Sequence, residues 1–130
     1  MPTFDSVIHD VVVGDDVTIR RTIDVAASGF SSGTTVVEAW MTMKAHVSDP
    51  DPGIFQKTIS IADQPGVGQI ENDGTGDVDV VLRFDLVPAD TIAVGLAKRH
   101  WDIQIKTAAG KVHTPEKGTM RGVQGITLSS

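Results

Sequence analysis

Apolar and polar residues alternate with a period of two along most of this chain, and the clearest example lies in its last third. Trp101, Ile103 and Ile105 alternate with Asp102, Gln104 and Lys106, Ala109-Gly110 supplies a turn, and a second run continues from Lys111 to Gly118. This pattern predicts a β-hairpin with one face in a core and one in water. Trp101 falls on the core side. The segment Val78, Val80, Leu82 and Phe84 alternates just as cleanly with Asp79, Val81, Arg83 and Asp85. The longest strand candidate sets Val37, Ala39, Met41, Met43, Ala45 and Val47 against Glu38, Trp40, Thr42, Lys44 and His46. A helix from Val36 to Ala45 is the competing reading, but the period of two fits better and the β-branched start at Thr34-Thr35-Val36-Val37 favours a strand.

Two further alternations follow. Val17, Ile19, Ile23 and Val25 share a face opposite Thr18, Arg20, Thr22 and Asp24, with Arg21 on the apolar side. Phe55, Lys57, Ile59 and Ile61 share another. Val7 to Val13 reads as a first or edge strand that ends at Gly14-Asp15-Asp16. Turns or loops are predicted at Ser28–Gly33, Asp49–Gly53, Gln64–Gly68 and Glu71–Asp77, because glycine, proline, aspartate and asparagine favour turns for separate backbone reasons. Pro88 to Val94 suits one helical turn at most. The sum is an all-β chain, an immunoglobulin-like antiparallel sandwich of about seven strands.

Composition narrows the functional classes. The 130 residues form one domain, 1–130, with extended termini expected at 1–6 and 122–130. Cysteine is absent, which removes disulfides, thiolate metal sites and a cysteine nucleophile. The 17 acidic and 11 scattered basic residues give a net charge of −6, which argues against nucleic acid as a ligand. No basic and apolar leader opens the chain and no run approaches the roughly 20 apolar residues that span a bilayer, so a soluble protein without signal peptide or membrane partner is expected.

Two ends of the sequence resemble a known module. Val13-Gly14-Asp15-Asp16-Val17-Thr18-Ile19, Trp101-Asp102-Ile103-Gln104-Ile105, and Gly110-Lys111-Val112-His113-Thr114-Pro115-Glu116-Lys117-Gly118 followed by Gly125-Ile126-Thr127 are similar to the immunoglobulin-like domain at the N-terminus of baseplate upper proteins and related virion components of tailed bacteriophages. The segment from Ser28 to Gly76 carries no motif of that family. The resemblance implies a small virion part, such as a tail or baseplate adaptor or a capsid decoration protein, made in the host cytoplasm and incorporated into the particle.

Candidate chemistry is sparse. His9, His46, His100 and His113 lack zinc-like spacing, and His46, His100 and His113 are expected to be solvated. Asp49, Asp51, Asp73 and Asp77 are the best oxygen ligands for Ca²⁺, although turn formation also explains them and the second cluster lacks the closing glutamate of an EF-hand. The serines at 28, 31 and 32 have no nucleophile elbow, and Glu38 with Asp102 is no glycosidase pair by sequence. No catalytic residue, cofactor or small-molecule ligand is therefore expected.

Contact residues are the better candidates. Trp40 shares parity with polar neighbours, which suggests contact with another chain; a covering flap or a register-shifting bulge would place it differently. Val11 and Val13 near the start and Ile126 and Leu128 near the end are expected to reach neighbouring virion proteins or copies of the same chain, and exposed strand edges offer strand addition. The expected function is non-enzymatic assembly. The alternative is a glycan- or host-surface-binding module that uses the polar loops, with Ca²⁺ as a possible component.

Overall fold

The computed structural model describes residues 4–5, 9–23, 35–50, 53–75 and 79–124. They form two facing β-sheets and one short helix. The strands are β1 (Phe4–Asp5), β2 (His9–Val12), β3 (Val17–Ile23), β4 (Val36–Lys44), β5 (Phe55–Ile59), β6 (Gly68–Asn72), β7 (Val80–Leu86), β8 (Lys98–Thr107) and β9 (Val112–Val123), with α1 (Pro88–Val94) between β7 and β8. The larger sheet runs β1-β9-β8-β4-β5 with β2 also on β9, and the smaller runs β3-β7-β6. This is the immunoglobulin-like order: β3 and β7 take the places of the second and fifth strands of such a sandwich in one sheet, and β4, β8 and β9 those of the third, sixth and seventh in the other. The chain enters the larger sheet in parallel with β9, while the other pairings are antiparallel.

The alternation read in the sequence becomes the core. Val80, Leu82, Phe84 and Leu86 of β7 face Ala39, Met41 and Met43 of β4 and Trp101, Ile103 and Ile105 of β8, all at most 4 % exposed. With no disulfide, this apolar layer is the main source of stability, at roughly 1.5–3 kcal/mol for each fully buried large side chain.

The register departs from simple alternation where the backbone demands it. Ile103 pairs with Glu116 but Ile105 pairs with His113, so β9 carries an extra residue around Thr114-Pro115. Proline cannot donate to a ladder, and the bulge accommodates Pro115 inside a central strand. It also turns His113 onto the row opposite the buried Ile105, half-buried rather than on the solvated face expected for it. A second irregularity between Val36 and Glu38 buries Val36 and leaves Val37 45 % exposed, correcting its expected core position. Val47 and Ile61 are likewise exposed, because β4 ends at Lys44 and β5 at Ile59 before the pattern does.

Two charged side chains turned inward clasp the sheets together. Arg21, on β3 at the edge of the smaller sheet, donates two hydrogen bonds of 2.7 Å to the Glu116 carboxylate on β9. Its guanidinium lies 6.0 Å from the Trp101 ring. On the opposite flank Lys57 of β5 places Nζ 2.6 Å from Asp90 Oδ2 on α1 and donates to the carbonyl of Gly66 at 2.9 Å. Asp90 also accepts the Val87 N–H, which fixes the start of the helix behind Pro88. The buried Thr91 hydroxyl accepts the Gly14 N–H at 2.9 Å and donates to the Asp15 carbonyl at 3.0 Å, tying the β2–β3 turn to α1.

Two glycines separate steric from conformational need. A Cβ on Gly122 would lie 1.8 Å from the Gly95 carbonyl oxygen, whereas Gly110 has open space but a φ of +84°. In urea denaturation, Gly122→Ala is expected to cost at least about 2 kcal/mol through overpacking, and Gly110→Ala about 1 kcal/mol through strain alone. Equal small losses would contradict the close approach of β9 to the end of α1.

Candidate interaction surface

The outer faces of the two sheets have different chemistry. On the smaller sheet the outward arginines are paired with neighbouring carboxylates. Arg20 Nε donates to Glu71 Oε1 at 2.8 Å, and Arg83 reaches Asp85 at 3.2 Å, Glu71 at 3.5 Å and Asp63. The hydrogen bond from Arg20, with the positive charge beside it, holds the Glu71 carboxyl below its ordinary range. Both arginines of this face are thus engaged within the sheet.

The larger sheet presents an aromatic and polar face. Trp40 of β4 stands between Thr58 of β5 and Gln104 of β8, in an unbroken stretch of register, and is half-buried. Its orientation is therefore outward, as its parity indicates, and no bulge displaces it. One step along, Thr42 is 2 % exposed although it also points away from the core, and its hydroxyl accepts a hydrogen bond from Gln56 Nε2 at 2.9 Å.

Beyond Thr42 the face dips into a cleft of about 380 Å³ lined by Lys44, Val47, His100, Asp102, Lys117 and Thr119 among others. Cross-strand pairing builds it: Thr42 lies opposite Asp102, Lys44 opposite His100, and Asp102 opposite Lys117. These residues are far apart in sequence and carry no motif. Only the strand register, including the bulge that precedes Lys117 in β9, reveals that they converge.

The residues singled out in the sequence fall in different places. Val11 is 4 % exposed and belongs to the core opposite Gly122, while Val13 is half-buried and donates its N–H to the Val123 carbonyl at 3.0 Å. Ile126 and Leu128 lie outside the described residues, as do Asp51, Asp77 and the Ser28–Gly33 loop. Asp49 Oδ2 accepts the His46 N–H at 3.0 Å, and Asp73 Oδ1 accepts both the N–H and the hydroxyl of Thr75 at 3.0 and 2.6 Å. Both carboxylates thus serve their own turns, and the Thr75 bonds lower the Asp73 pKa. Among the described residues no group of three or more histidine, aspartate or glutamate side chains could hold a metal ion.

Compared with protein-family models and with curated proteins, the chain matches none.

The Glu71 pairing has a pH signature. A carboxyl whose pKa is depressed on folding contributes stability above its unfolded value of about 4.3, and the contribution fades as pH falls through the lower folded value. Glu71→Gln is therefore expected to lower stability at pH 7 and to flatten the loss between pH 5 and pH 3 in urea titrations, by about the same amount. An unchanged acid slope would mean that the pair contributes nothing.

Proposed function

We propose that this protein is a structural component of a tailed-phage particle, a tail or baseplate adaptor or capsid decoration protein that acts by protein–protein contact. Trp40 carries this reading: a large aromatic set outward on β4, an inner strand of the larger sheet, one residue pair away from a cleft, is the composition of a contact surface. The resemblance of the chain's two ends to virion immunoglobulin-like modules supplies the setting. Contact through a face is favoured over strand addition at β3 and β5, because each of these edge strands turns a charge inward, Arg21 and Lys57, which opposes pairing with a further strand.

The mechanism is mechanical. A rigid sandwich presents Trp40 at a fixed position, neighbours bury it, and repeated copies multiply a modest contact into a stable one. No bond is made or broken.

A second reading rests on the cleft. Its threonines, lysines, His100 and Asp102 could hydrogen-bond a sugar, which would make the domain a glycan- or host-surface-binding module.

Purified particles test the first reading directly. The chain is expected in them by mass spectrometry and imaging, with Trp40 at a contact, and Trp40→Ala is expected to reduce incorporation while leaving the fold intact. Absence from particles would overturn the reading. A reproducible glycan signal lost on Lys117→Ala and Asp102→Ala would replace it with the second.

A further inference from the structure

The end of the sandwich built by α1 carries two large apolar side chains that stand in water. Ile92 on α1 is 59 % exposed, and Leu96, just after it, is 66 % exposed. Neither belongs to the core, and both sit where the chain turns from α1 into β8.

Charges of both signs flank them. Lys98, the first residue of β8, lies directly opposite Arg121 of β9, and both are exposed. Like charges in that relation repel, and among the described residues only Asp10, on the other side of Arg121, offsets them. The β2–β3 turn, bound to α1 through Thr91, carries the exposed neighbours Asp15 and Asp16. It belongs to the same end, because Val12 pairs with Val123, two residues beyond Arg121. Among the described residues, none of Lys98, Arg121, Asp15 and Asp16 forms an ion pair.

The cations of the smaller sheet, β5 and the inner face are used differently. Arg20, Arg21, Lys57 and Arg83 are all ion-paired, and Arg99 donates to the Val94 carbonyl at 2.9 Å, closing the end of α1. The cation pair at the α1 end is thus set apart from the charges that hold the fold.

We propose that this end is a two-fold contact between copies of the chain, in which Ile92 and Leu96 of the two copies pack together while Lys98 and Arg121 of each meet Asp15 and Asp16 of the other. A second copy is the fitting occupant because one corner holds both signs of charge around an apolar centre. A two-fold axis satisfies both sets at once, whereas a partner of a single sign would leave one unmatched. The proposal rests on the reading of the protein as an assembly component, and it names one partner: itself.

Sedimentation velocity on the full chain, from micromolar to millimolar concentration, tests this. A reversible dimer is expected, weakened about tenfold when salt is raised to half-molar, since exposed pairs are screened. Leu96→Glu should weaken it at least about tenfold with no change in Tm, because the side chain is exposed in the monomer. The reversed variant K98E/R121E and the reversed variant D15K/D16K should each stay monomeric alone and dimerise when mixed, a readout that holds even if Leu96→Glu misfolds. A wild-type chain that remains monomeric throughout, or a dimer indifferent to both Leu96→Glu and the charge swap, would overturn the contact. Particle localisation is separate: a dimer absent from virions contradicts the proposed function alone, and a virion protein that never dimerises contradicts this contact alone.

Discussion

Two twisted sheets can share a dry core only if their open flanks are closed, and here one flank depends on the bidentate pair of Arg21 and Glu116. Its side chains are 25 % and 17 % exposed, between a surface pair and a fully buried one. Surface pairs contribute little, and desolvation erodes buried ones unless their hydrogen bonds are satisfied. Two parallel bonds of 2.7 Å meet that condition, and the guanidinium lies near the face of Trp101, the largest side chain in the core. Lys57 and Asp90 close the opposite flank and join β5 to the helix that links the sheets.

The same two cations shape what the molecule can do with its edges. An unpaired strand invites another chain, and an inward charge is one of the devices that prevents it. Arg21 guards β3 and Lys57 guards β5, so contact is directed away from these edges. The contacts proposed above use the Trp40 face of the larger sheet and the α1 end instead, where apolar side chains and charges of both signs are grouped. Sheet closure and protection of the two edges are thus linked through the same inward charges, Arg21 and Lys57.

Much of this architecture was legible because β-strands report their own burial. Period-two runs give β4, β7 and β8 with their core faces, and the Pro88–Val94 segment gives the helix. What the pattern could not reveal were events that one extra residue decides. The bulges at Val37 and at Thr114-Pro115 reverse side-chain parity, which exposes Val37 and turns His113 towards the core row. Trp40 was legible as an outward residue by parity. The cleft was not, since Lys44, His100, Asp102 and Lys117 meet only through pairing across three strands. Arg21 was visible as an exception and Lys57 only as a member of its alternation, and their partners Glu116 and Asp90 lie far along the chain and carry no local signal.

The dependence of the fold on Arg21 and Glu116 is open to a direct measurement. A double-mutant cycle with Arg21→Met and Glu116→Gln, followed by urea unfolding, separates the pair from the packing of each side chain. Each single change should cost about 2 kcal/mol, and the double change should cost at least about 1 kcal/mol less than their sum, because it leaves no half-buried charge without its partner. Strictly additive losses below about 0.5 kcal/mol each would place the pair among ordinary surface contacts and contradict its role in holding the two sheets together.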